Sequence, residues 1–199
     1  MKTLFNRVRQ IFFNPAEAFH AIQSDFDEAS QLITRFLLPL IAFPAVAMLL
    51  GLSLTGIDIP FSGVFRFNFW HALLVVLLNY GMILGGIWII SKWILFLCRF
   101  MQHNGSDSDA LKLSVTIHVP LLAGGIFYLI PSLSLLVILI GLYGFYLLYT
   151  GFPVLMKTAS QKPWLAVIIS GLGILAVHIG ITKVVGILMT LFGPELPKV

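Results

Sequence analysis

The sequence predicts an all-α, polytopic transmembrane helix bundle with five spans and short amphipathic N-terminal helices. Three observations predict it. Of the 199 residues, 59% are apolar and 10% charged, with a mean hydropathy of +1.00; a soluble domain carries about a quarter charged residues and under half apolar. Charge-free runs recur at lengths near the roughly 20 residues needed to cross a hydrocarbon core of about 30 Å. The basic residues, finally, cluster in alternate segments, as membrane topology requires. This composition excludes a disordered chain, a nucleic-acid-binding domain and an ordinary cytosolic enzyme, and the formal charge of +4 has meaning only by position.

Residues 1–34 read as a cytoplasmic amphipathic segment. Lys2, Arg7 and Arg9 resemble a signal-peptide n-region, but Asn14, Pro15 and Glu17 interrupt before an apolar h-region forms, so no cleaved signal is expected and the first span directs insertion. Leu4, Phe5, Val8, Ile11 and Phe12 recur at helical spacing with Asn6, Arg7, Arg9 and Gln10 between them, which predicts a short helix lying on an anionic membrane surface. Asn14, Pro15 and Glu17 then have the N-cap, N1 and N3 identities of a helix start, predicting a second helix over about 15–23. Asp25, Asp27 and Glu28 read as a solvated linker.

The spans follow within 35–192. The first, about 36–55, carries Pro39 and Pro44 as expected kinks; the second, about 68–97, is long enough to tilt or protrude, with Lys92 snorkelling to its end. Lys112 and Lys157 bracket an uncharged run suited to two crossings, about 113–130 and 134–156, divided by Pro131-Ser132-Leu133-Ser134. The fifth, about 164–191, either ends near Lys183 or continues with that lysine reaching for the interface. Residues 193–199 form a short tail. Cys98 has no cysteine partner and reads as a small buried or interfacial apolar residue.

Nine Lys and Arg residues fall on one side of this topology: Lys2, Arg7, Arg9, Arg35, Lys92, Arg99, Lys112, Lys157 and Lys162. Arg66, Lys183 and Lys198 fall on the other. The positive-inside bias therefore places the N-terminus in the cytoplasm and the C-terminus outside.

Four stretches carry a family resemblance: Asn14-Pro15-Ala16-Glu17-Ala18-Phe19 with Ile22; Tyr80-Gly81-Met82-Ile83-Leu84-Gly85-Gly86 followed by Trp93; Leu113 through Pro120; and the run from Leu142 to Pro153, a tyrosine-rich segment ending in Gly-hydrophobe-Pro. On these, over almost its full length, the chain resembles the bacterial branch of the Yip1-domain membrane proteins. The resemblance implies an integral membrane protein of undefined molecular activity, tied in eukaryotic members to vesicle trafficking and small GTPases. This sequence has no long acidic cytoplasmic region and no Asp-Leu-Tyr-Gly-Pro stretch, so GTPase binding is not carried over, and the bacterial cytoplasmic (inner) membrane is the expected location.

Ionisable and polar groups at membrane depth are costly and define the candidate intramembrane site: Asn79, Tyr80, His118, His178 and Lys183. Their alternative role is hydrogen bonding between helices. His118 lies nearer the cytoplasmic side and His178 at or beyond mid-depth, so a direct pair is not expected. The spans hold no Asp or Glu, which argues against carboxylate-driven proton coupling and against an aspartyl protease; Ser170 and His178 stand about 12 Å apart along a helix axis, poorly placed for serine chemistry. No catalytic residue, cofactor or metal is expected. Gly81 and Gly85, four apart, are a candidate helix-packing face, within the bundle or between copies. Phe65, Phe67, Phe69, Trp70, Trp93 and Trp164 read as interface anchors, while Tyr143, Tyr146 and Tyr149 need hydroxyl partners if buried.

The expected function is non-enzymatic, organising membrane or recruiting partners through the N-terminal helices and the loop from Arg99 to Lys112; the alternative is a small transporter or channel using the intramembrane Asn and His residues. The lipid bilayer is the expected partner, a membrane or cytoplasmic protein and a homo-oligomer remain open, and nucleic acid is not expected.

Overall fold

The computed structural model describes residues 4–26, 29–59, 63–157 and 163–192. Five helical stretches in it are long and apolar enough to cross a membrane: Ser30–Thr55, Phe69–Phe100, Asp107–Leu129, Pro131–Leu155 and Trp164–Ile187. Asp27, Glu28, Lys162 and the tail over 193–199 lie outside the described residues.

Two short helices come first, α1 (Leu4–Phe13) and α2 (Pro15–Asp25). The apolar stripe of α1 is divided between protein and surroundings. Ile11 is fully buried, with Leu4 and Val8 packed against the core, and Phe12 stacks on Tyr143 at 5.5 Å; Phe5 and Phe13 point outward, 74% and 77% exposed. The stripe expected to lie on the membrane is thus largely a docking face for the bundle. Helix α2 starts at Pro15 as its sequence demands, but the Asn14 side chain makes no capping hydrogen bond. The start is held instead by Pro15, whose fixed φ suits the first helical position, and by burial of Ala18, Phe19 and Ile22.

The first span is built from α3 (Ala29–Leu32), a π-helical turn over Ile33–Leu37, α4 (Leu38–Leu50) and a second π turn over Gly51–Thr55. Pro39 follows the first π turn after one intervening residue, Leu38; a proline lacks the N–H and crowds the carbonyl four residues back, and widening the preceding turn relieves both. After Gly56, a short antiparallel hairpin pairs β1 (Ile57–Ile59) with β2 (Gly63–Phe65). The sequence reading contained no strands; this hairpin is too short to show a period-two pattern.

Helix α5 (Phe69–Phe100) is continuous, started by Asn68, whose side chain accepts from the His71 amide. Its partner α6 (Asp107–Gly124) starts with a full capping box, Ser106 with Asp109. The expected divider between spans three and four is a pair of 3-10 turns, Gly125–Leu129 and Pro131–Leu133. The fourth span is α7 (Ser134–Gly141) and α8 (Tyr143–Leu155), interrupted at Leu142. Helix α9 (Pro163–Phe192) runs past Lys183 without interruption.

The core lies around α6. Of the apolar stretch that defines each span, 72% is buried in the third and 17–39% in the other four. The outer four present Phe43, Leu77, Trp88, Leu139 and Leu172 to their surroundings, each more than half exposed, as lipid-facing helices do.

Candidate functional site

Asp109, Lys112, Ser114, Thr116 and His118 of α6 are buried, so each needs a partner; Asp107 is exposed, and the buried Ser108 hydroxyl has no partner among the described residues. Asp109 accepts from the Ser106 amide and hydroxyl, and Lys157 approaches it at 4.0 Å. Lys112, 5% exposed, donates to the Gln23 carbonyl at the end of α2 (3.2 Å). The Ser114 hydroxyl donates to the Ile87 carbonyl of α5 (2.7 Å), and Thr116 to the Lys112 carbonyl. Buried Asp109 and Lys112 were missed as site residues because α6 begins six residues before the predicted span, placing both inside the protein rather than in a loop.

His118 is 4% exposed. Its ring stacks on that of His178, centroids 5.3 Å apart and planes 12° from parallel. This overturns the expectation that the two would not pair. Counting depth from Leu113 and Trp164 sets them about nine residues, or roughly 13 Å, apart in height; counted from the observed helix starts, Asp107 and Pro163, the offset falls to about four residues, or roughly 6 Å, which helix tilt absorbs. Nδ1 of His118 meets the Ser114 carbonyl at 2.6 Å and Nδ1 of His178 the Ile174 carbonyl at 2.9 Å. Because a carbonyl can only accept, each Nδ1 carries a hydrogen, and in the neutral rings each Nε2 is the acceptor nitrogen.

The remaining candidates do not join this pair. Asn79 reaches Met48 Sδ at 3.7 Å across the α4–α5 contact. Tyr80 is buried, with no hydrogen-bond partner for its hydroxyl among the described residues. Thr182 donates to the His178 carbonyl, while Lys183 is exposed. Ser170 is fully buried with its hydroxyl unpartnered among the described residues. Among the described residues no three of His, Cys, Asp or Glu gather as a metal set. Cys98 is buried, its Sγ accepting from the Gly105 amide.

The glycines divide sharply. A Cβ added at Gly81 or Gly85 would meet nothing within 4 Å, so their expected contact is not made among the described residues. One residue on, Gly86 faces Ile181, and Gly173 lies against the Trp93 indole. Trp93 therefore packs between α5 and α9. Gly144 meets the Ile117 carbonyl of α6, and Gly151 the ring of Phe19. Tyr143 finds its partner in the Phe12 carbonyl (2.9 Å), whereas Tyr146 and Tyr149 are about half exposed.

The charged side chains concentrate at the end where α1, α2 and α6 meet. Lys92 bridges both Asp107 oxygens at 2.7 Å, and Arg7 pairs with Asp25 at 3.1 Å. Two aromatic rings hold the Arg7 guanidinium, Phe26 at 4.5 Å and Phe36 at 5.9 Å.

Known proteins resemble the chain in sequence. The chain is 22% identical over 156 residues to the inner membrane protein YohC of Escherichia coli (strain K12), covering 76% of this chain and 80% of that one; the YohC of Escherichia coli O6:H1 matches to the same extent. No solved structure matches. The Yip1 domain profile matches residues 9–182, the region from α1 through most of α9, and the chain therefore belongs to the Yip1 domain family.

Proposed function

We propose that this chain is a non-enzymatic, multi-pass protein of the bacterial inner membrane that organises membrane or recruits partners through a cytoplasmic cap made of α1, α2 and the loop between α5 and α6. The observation that carries this reading is where the polar groups go. At membrane depth Ser114, Thr116, His118, His178 and Thr182 all bond to main-chain carbonyls of the bundle, a packing use of polarity. Exposed apolar side chains on a charged surface occur instead on the cap, at Phe5 and Phe13. The name of the Escherichia coli relative supports the location, and the nine basic residues support a cytoplasmic N-terminus with the C-terminus outside. A reporter fused at Val199 is expected to score as periplasmic; a cytoplasmic signal overturns that orientation.

The stacked His118–His178 pair favours one second reading, a small transporter or channel. Flux in proteoliposomes separates the two. A folded variant carrying Asn79→Leu, His118→Phe and His178→Phe keeps its partners under the scaffold reading, whereas a solute flux that this variant abolishes establishes transport. Gly81 and Gly85, open on the outside of α5, are the proposed contact if the chain self-associates. Crosslinking between copies through a cysteine at Gly85 tests that contact.

A further inference from the structure

A cavity of about 360 Å³ opens between α1 and the start of the first span, lined by Arg7, Asp25, Phe26, Gln31, Arg35 and Phe36. We infer that it is a binding site for the headgroup of a zwitterionic phospholipid, a phosphate joined to an ammonium, as in phosphatidylethanolamine. Among the described residues two cations and one carboxylate line it. Arg7 is prepared for an anion: its side chain is only 11% exposed, its guanidinium is held over Phe26, and Nη2 takes Asp25 while Nη1 is buried without a hydrogen-bond partner among the described residues. A buried guanidinium nitrogen without a partner is costly, and a phosphate is a natural bidentate acceptor for arginine. Arg35, exposed on the same cavity, supplies the second cation.

Asp25 suits the site to a zwitterion rather than simply to an anion. Its carboxylate is 41% exposed and spends one oxygen on Arg7, leaving acceptor capacity that a headgroup ammonium can use. A purely anionic headgroup would meet that carboxylate without compensation. The volume suits a headgroup and not acyl chains, being near the lower limit of small-molecule pockets, and Leu38 and Phe43, further along the first span, are exposed to receive the chains. The inference goes beyond the recruitment reading and stands on this cavity alone.

The test uses the full chain, purified in detergent, stripped of lipid and titrated with phosphatidylethanolamine, phosphatidylglycerol or free phosphoethanolamine, with bound lipid counted by native mass spectrometry. One phosphatidylethanolamine is expected to be retained, roughly tenfold or more tighter than phosphatidylglycerol. Arg35→Gln, an exposed position, should weaken retention roughly tenfold, and Asp25→Asn should erase the preference between the two lipids. Free phosphoethanolamine binding as tightly as the lipid would support the site and assign its ligand to solution. Equal retention of both lipids by the native chain, or unchanged retention by Arg35→Gln, overturns the inference. Partner capture is read separately, so failure here leaves the proposed function standing.

Discussion

Helices α6 and α9 carry the same kinds of polar residue but hold their lysine and serine differently. In α6, Lys112 is buried and donates to the Gln23 carbonyl; in α9, Lys183 is exposed. Ser114 ties α6 to α5 through the Ile87 carbonyl, while Ser170 is buried with no partner among the described residues. His118 is enclosed and His178 half-enclosed, and the two rings join the helices. The difference follows from position in the bundle. On the central helix the carbonyls of α2 and α5 accept from Lys112 and Ser114, and those of α6 itself serve Thr116 and His118, whereas α9 turns mostly apolar side chains to its surroundings.

Same-residue substitutions on the two helices break this comparison if it is wrong. Lys112→Met should be the most damaging, destabilising by about 1.5–3 kcal/mol as a charged donor leaves the Gln23 carbonyl unpaired; thermal unfolding in detergent reads it, and an unchanged midpoint contradicts the assignment. Lys183→Gln should shift stability by less than about 0.5 kcal/mol.

Glycine contacts around the central helix give the next effect. At Gly144 a methyl would meet the Ile117 carbonyl oxygen of α6, a backbone atom that cannot swing aside. Gly144→Ala should cost about 1–3 kcal/mol, and Gly81→Ala, facing open space, should be neutral or slightly stabilising. Equal effects at the two sites would remove the packing argument.

Serine and histidine follow with smaller changes. Ser114→Ala should lose about 1 kcal/mol, yet Ser170→Ala should be neutral or stabilising, since it removes a buried hydroxyl that has no partner. His118→Phe should cost about 1 kcal/mol, and more than His178→Phe because its ring is the more enclosed. The double substitution should cost less than the sum of the two, the signature of residues in contact; strict additivity would separate the rings.

The five spans were legible because the bilayer imposes its demand over some 20 residues at a time, so charge-free runs report it without detail. The hairpin at Ile57–Phe65 and the π turns around Pro39 and Gly51 were not, since each depends on a few residues and on neighbours distant in sequence, such as the Tyr128 carbonyl against Gly51. Within the candidate site, the identities of His118 and His178 could be read and their contact could not. Depth along a span is measured from a helix start, and the capping box at Ser106 sets that start earlier than the first charge-free residue does. The spacing of Gly81 and Gly85 gave a helix face but not what covers it; Gly86 and Gly173, outside that motif, make the α5–α9 contact.

The central claim is that function resides in the cap and the intramembrane polar groups serve packing. Its most direct test is affinity purification from native membrane, lipids retained, of three chains: the native one, Phe5→Ser with Phe13→Ser on the exposed cap, and Asn79→Leu with His118→Phe and His178→Phe in the interior. Deleting residues 1–24 is a poorer probe, because Ile11, Phe19 and Ile22 are core residues. The cap variant is expected to lose the co-purifying partner, while the interior variant, folded, retains it. A partner kept by the cap variant and lost from a folded interior variant would contradict it.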